Sequence, residues 1–216
     1  SFTRDEATKY SDLDLVVVYE SLPNAYRESF RFEGYPVEAF IHDSQTLNYF
    51  FSEIDRPTGV PSLPFMVKEG LEIPKPTEFS QSLKALAVSA LELGPPLLSA
   101  EDELNLRYNI TDLLDDIRDF RSRNELVATG AVLYDVLATY YFRTEGLWSA
   151  KGKSIPRTLE AHSPDLCRQY CTSCDLLFRE GDANAVISLA EEVLNKNGGL
   201  LFEGYKRNAP AEWRKI

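Results

Sequence analysis

Residues Leu13 to Tyr19 read LDLVVVY, a β-branched and almost continuously apolar run that fits a strand covered on both faces. It predicts a central strand. Beyond the polar stretch Glu20 to Arg27 come Phe30, Phe32 and the alternating run Val37 to Ile41, with Gly34-Tyr35-Pro36 between two extended segments that read as a hairpin or bent pair. Residues 1–43 are therefore strand-rich. Pro57, Gly59, Pro61, Pro64, Gly70, Pro74 and Pro76 then forbid one long regular element and predict a linker or irregular crossover. The domain boundary is expected near residues 70–78.

Past that boundary the apolar period becomes helical. Leu83, Leu86, Ala87, Ala90 and Leu91 share one stripe, stopped by Gly94-Pro95-Pro96. Ser99 followed by Glu101, Asp102 and Glu103 is an N-cap signal with acid in the first turn. The helix it opens carries Leu104, Ile110, Leu113, Leu114, Ile117 and Phe120, and Leu126 through Tyr140 mark the next. Ser163-Pro164 opens another, and Asp182 caps a last one closed by Gly198-Gly199. The expected fold class is α+β: a small mixed sheet with helices over residues 1–75, followed by an α-helical bundle over residues 76–216.

Composition narrows the function. The 23 Lys and Arg against 34 Asp and Glu give a net charge of −11, which excludes a basic nucleic-acid scaffold and favours small or cationic partners. No apolar run approaches a membrane span, and the charged first fifteen residues lack the apolar block of a signal peptide. Three cysteines in one short stretch suggest no disulfide framework, so a cytoplasmic location is expected.

The chemistry sits near the start. Asp12 and Asp14, at i and i+2 of an extended segment, project from one face of the strand, while Leu13 and Leu15 project from the other. Glu38 alternates in the same way within VEAFI, and if its strand neighbours the first, three carboxylates converge. Such a group persists only if cations neutralise it, and oxygen-only ligation selects Mg²⁺ or Mn²⁺.

Here the chain resembles the nucleotidyltransferase superfamily of the DNA polymerase β type. That pattern is Gly-Ser, about ten residues, Asp-x-Asp on a strand and a third acid on a following strand. Ser1 would be the serine, Phe2 to Ser11 the spacer, and Glu38 the third acid. The layout is most similar to small bacterial aminoglycoside and lincosamide nucleotidyltransferases of antibiotic resistance, which pair a short catalytic domain with a helical one. It also resembles minimal nucleotidyltransferases found beside toxin–antitoxin pairs. The glycine expected before Ser1, and the helix and strand before it, are not in the sequence, which is therefore expected to be part of a longer domain.

The resemblance implies an adenylyltransferase moving AMP from ATP to a hydroxyl of a small acceptor. Asp12, Asp14 and Glu38 would be the catalytic, metal-holding acids for two Mg²⁺ ions. Ser1, Thr3, Arg4 and Ser11 would meet the phosphates, and so would Lys153 of the basic stretch Trp148 to Arg157. Partners would be the nucleoside triphosphate and the acceptor, with no nucleic acid and no membrane, for a monomer or homodimer. The alternative is an antitoxin-like or regulatory protein that keeps the fold and binds nucleotide or modifies a protein partner.

Other features have structural readings beside functional ones. The basic stretch also suits a helix C-terminus. Asp112, Asp115, Asp116 and Asp119 form an acidic helical face that could bind a polyamine or supply a base, but such stripes are commonly solvated surface. Glu125 is a similar base candidate. Cys167, Cys171 and Cys174 share one helical face, where small packed side chains explain them better than zinc. His42 reads as structural, and the segment after Gly198-Gly199 as a tail packed on the bundle.

Overall fold

A computed structural model describes residues 8–214, which divide into two compact units between Pro96 and Leu97. The fold is mixed α+β. The first unit opens with β1 (Leu13–Tyr19), β2 (Tyr26–Phe32) and β3 (Tyr35–Asp43). Their order is β1-β3-β2, with β1 parallel and β2 antiparallel to β3. Among the described residues β1 is thus an edge strand, and the expected central position belongs to β3. Continuous β-branched character reports strand propensity rather than coverage, and Leu15 is indeed exposed. Central burial shows instead at Val37, Ala39 and Ile41, each 3% exposed.

The hairpin between β2 and β3 turns at Glu33 (φ 48°) and Gly34 (φ 87°). Positive φ at both central residues is the signature of a turn that matches strand twist, and glycine adopts it without a Cβ penalty. Tyr35 and Pro36, expected in the connection, are already part of β3.

The punctuated stretch is more helical than its prolines suggest. Asp43 and Thr46 form a capping box that starts α1 (Ser44–Tyr49), which continues through a π-helical segment, Phe50–Asp55, into α2 (Arg56–Thr58). Next comes α3 (Ser62–Glu69), whose first turn holds Pro64. Pro57 lies near the end of the continuous helical run that α2 closes. A proline in a first turn removes an N–H that has no helical partner, so Pro64 marks a helix start and not only a break. Asp55, buried, takes a hydrogen bond from the Leu63 N–H at 2.8 Å and so caps α3. Burial pushes its carboxyl above the usual range.

Thr77 and Ser80 form a second capping box for α4 (Glu78–Glu92). Its Leu83 and Ala87 close a core with Leu47, Phe51 and Leu63, against which Val16, Val18 and Phe40 of the sheet pack. This helix therefore belongs to the first unit, although the sequence boundary assigned it to the second. Its apolar stripe is indistinguishable in type from those of the bundle, and only the partner it buries against decides its unit.

The second unit is all helical: α5 (Ala100–Arg118), α6 (Arg123–Thr144), α7 (Ser154–His162), α8 (Pro164–Glu180) and α9 (Asn184–Asn195). Ser99, Ser122 and Ser163 accept hydrogen bonds from first-turn N–H groups as N-caps, and Asp182 accepts one from Asn184 N–H at 2.9 Å. Ile110, Leu114, Leu133, Leu137 and Leu194 are buried at the centre. At Gly130 an added Cβ would meet Leu177 Cδ2 at 2.7 Å, so α6 and α8 pack closely there and a larger residue would require the Leu177 side chain to shift. The tail packs on α5: Arg107 donates to the carbonyls of Gly198 and Gly199, and Tyr205 stacks on Tyr108 at 4.0 Å. No described helix is long and apolar enough to cross a membrane.

Candidate metal centre

The parallel register places Asp14 directly beside Glu38, and the antiparallel register places Ser29 on the other side of Glu38. Directly paired residues share a sheet face, so Asp14, Glu38 and Ser29 form one row across three strands. Asp12 lies two residues before Asp14 and faces the same way. One carboxylate oxygen from each of Asp12, Asp14 and Glu38 falls within 4.8 Å of the others. Three side chains that were only expected to converge therefore do.

Two facts of the fold make this happen. The chain returns from β1 through the β2 hairpin to a strand parallel with β1, so Glu38 is brought beside Asp14 without a register slip that would turn it to the other face. The same face carries Val16 and Phe40 further along, and these pack on the helical layer. The acids occupy the end of the face that the helices leave open: Asp14 is exposed, while Asp12 and Glu38 are half-buried.

Unit charges about 4 Å apart repel by about 1 kcal/mol in water and about 4 kcal/mol at an effective dielectric near 20. Part of that repulsion is met by Arg27 of β2. Its Nη2 donates to Glu38 Oε2, and its guanidinium carbon lies 4.9 Å from the centroid of the Phe40 ring. The bond with Glu38 holds the guanidinium more firmly protonated, and Asp14 and Asp12 add to the effect in that order. The sequence reading missed Arg27, although its alternation with Tyr26 and Glu28 put it on the acid face once β2 was recognised.

The donor set fits a hard divalent cation. Oxygens that share one Mg²⁺ at about 2.1 Å lie at most about 4.2 Å apart, so the three carboxylates need only small side-chain rotations to ligate. All-oxygen donors select Mg²⁺ or Mn²⁺ over softer metals.

Thr8, Lys9, Ser11, Glu33, Tyr35 and Pro36 line a shallow cleft of ≈ 390 Å³ between the segment that leads into β1 and the β2–β3 turn. Ser11 accepts a hydrogen bond from Thr8 N–H at 2.8 Å, which fixes the turn that leads into β1. Ser1, Thr3 and Arg4, expected at the phosphates, lie outside the described residues. Lys153 is exposed and precedes α7 in the second unit, and Arg157, expected in the same loop, lies within α7.

The remaining candidates sit elsewhere. Asp112, Asp115, Asp116 and Asp119 are all exposed, and Asp115 pairs with Arg118, which also donates to Glu191 at 2.6 Å. Glu125 pairs with Arg121 at 3.4 Å. Cys167 and Cys174 are buried free thiols, pushed up by desolvation to about 11 and about 12, and Cys171 is exposed. They form no metal cluster among the described residues. His42 is buried edge-on to Phe50, and burial lowers its affinity for a proton.

No protein-family profile matches the chain, and no curated protein matches it. A crystal structure of a nucleotidyltransferase-like protein from Exiguobacterium sibiricum 255-15 aligns with 85% of this chain at 16% identity and a TM-score of 0.42. The chain spans 61% of that protein's length. So slight a likeness transfers neither fold nor activity, and the functional reading rests on the acids themselves.

Proposed function

We propose that the first unit is a metal-dependent nucleotidyltransferase that moves AMP from ATP to a hydroxyl of a small acceptor. The observation that carries this reading is the convergence of Asp12, Asp14 and Glu38 from two parallel neighbouring strands. Bound there, two Mg²⁺ ions would neutralise the triphosphate and stabilise the attacking and leaving oxygens together.

The residues have separable tasks. Asp12 and Asp14 would hold the ions, and Glu38 of β3 would complete the ligand set. The acceptor oxygen forms a bond to the α-phosphorus, the bond to the β-phosphate oxygen breaks, and pyrophosphate leaves. Glu38 is proposed as the carboxylate that takes the hydroxyl proton. Ser11, next to Asp12 in the chain, and Lys9 are proposed as phosphate contacts. Lys153 and the terminal residues Ser1, Thr3 and Arg4 are proposed as further phosphate contacts. The net charge of −11 suits a cationic acceptor, such as an amino sugar of the aminoglycoside kind.

Incubation with labelled ATP or GTP, Mg²⁺ and a panel of amino-sugar and protein acceptors tests the proposal. Label transfer that disappears in Asp12→Asn and Asp14→Asn supports it. Bound nucleotide with no transfer to any acceptor contradicts it and favours a nucleotide-binding regulator.

A further inference from the structure

We propose that Arg27 is a resident counter-cation of the acidic centre, which holds Glu38 until a divalent ion loads and then turns to the phosphates of the nucleotide. The inference rests on the nucleotidyltransferase reading and assigns a role to a residue which that reading does not use.

Register sets the geometry. Arg27 pairs with Phe40, one row away from the row of Asp14, Glu38 and Ser29, and shares their face. Its side chain therefore reaches Glu38 on a diagonal, crossing the Phe40 ring at 4.9 Å. The two contacts do different things. Glu38 supplies the charge, and Phe40 supplies a surface that keeps a planar guanidinium at the centre whichever anion it faces.

The bond with Glu38 is built to exchange. Arg27 is 55% exposed and Glu38 27% exposed, so the pair sits at the rim, where water weakens ion pairs. It occupies Oε2 of the one acid contributed by β3. A divalent ion drawn in by Asp12 and Asp14 competes for that carboxylate and repels the guanidinium beside it. The released fork, still over Phe40, has the geometry that phosphate oxygens accept in pairs. Arg31, the other arginine on this face of β2, donates instead to the Gly34 carbonyl at 3.2 Å and is tied to the hairpin turn.

Two titrations of the full chain test this: Mn²⁺ alone, read by electron paramagnetic resonance, and inorganic tripolyphosphate at saturating Mn²⁺, read by calorimetry. Arg27→Ala frees Glu38, so Mn²⁺ should bind roughly threefold to fivefold tighter. The same variant loses a phosphate ligand, so tripolyphosphate should bind about tenfold weaker. A residue that merely supports the fold would not move the two constants in opposite directions.

Arg27→Lys should keep Mn²⁺ binding near wild type and recover only part of the tripolyphosphate affinity. If Arg27→Ala does not fold, Arg27→Gln keeps the stem over Phe40 and carries the same expectation. Unchanged or weaker Mn²⁺ binding, or unchanged tripolyphosphate binding, overturns the role of Arg27. Mn²⁺ binding that survives Asp12→Asn and Asp14→Asn would instead overturn the acidic centre itself, so the two failures are distinguishable.

Discussion

Two groups of acids on this chain look alike in composition and differ in consequence. Asp12, Asp14 and Glu38 bring one oxygen each within 4.8 Å, whereas Asp112, Asp115 and Asp116 of α5 and Asp119 just after it are exposed to solvent. On the helix, every side chain can turn outward, and Asp115 finds Arg118 one turn away. On the sheet, parallel pairing fixes Asp14 against Glu38, and neither can leave the face without leaving its strand. Fixed convergence, rather than the number of acids, distinguishes a candidate site from a solvated surface.

The sharpest way to break that comparison is to neutralise one acid in each group. Asp14→Asn should lower transfer by about a thousandfold while leaving the circular dichroism spectrum unchanged. Asp116→Asn should stay within about twofold of wild type, as exposed surface changes generally do. Comparable losses from both would erase the distinction.

Next in size is a change that separates stability from the centre. Leu133 is fully buried in the second unit, and Leu133→Ala should cost about 2–5 kcal/mol in urea unfolding. Mn²⁺ affinity of the remaining folded protein should be unchanged. A loss of affinity in step with stability would mean that the centre depends on the bundle core.

The smallest effect concerns a third kind of acid, one kept ionised by hydrogen bonds from the helix it caps. Asp43 caps α1, and hydrogen bonds from Thr46, its backbone N–H first, then its side chain, hold the carboxyl below the usual range. A folded-state pKa below the unfolded value of about 3.9 means that the cap stabilises fully above that pH and is lost as pH falls through the folded pKa. Asp55 has the opposite sign, because burial raises it, and its cost to stability diminishes as pH falls. Asp43→Asn keeps a good cap without a titrating group. Its urea midpoint should therefore drop less than that of wild type between pH 5 and pH 3. Equal drops would place the acid sensitivity elsewhere.

Much of this arrangement was legible in the sequence because period 2 is a strong constraint. LDLVVVY and VEAFI each assign their acids to a face, and only the adjacency of the two strands had to be found in three dimensions. The serine caps at 99 and 163 were equally plain, since side-chain capping is local chemistry. Less visible was the helical layer over residues 44–69, because a proline in a first turn looks like a break when the turn itself is unknown. The unit boundary was misplaced for a related reason: α4 shows its apolar stripe but not which core receives it. Arg27 escaped notice because the polar stretch Glu20 to Arg27 was read as a connection, whereas β2 begins at Tyr26 and alternates Tyr26, Phe30 and Phe32 against Arg27, Ser29 and Arg31.

Crystals grown with Mn²⁺ and a non-hydrolysable ATP analogue, measured at the manganese absorption edge, offer the most direct trial of the acidic centre. The anomalous difference map should show density between Asp12, Asp14 and Glu38, with the triphosphate against it. Nucleotide bound elsewhere, or manganese bound away from these three side chains, would contradict it.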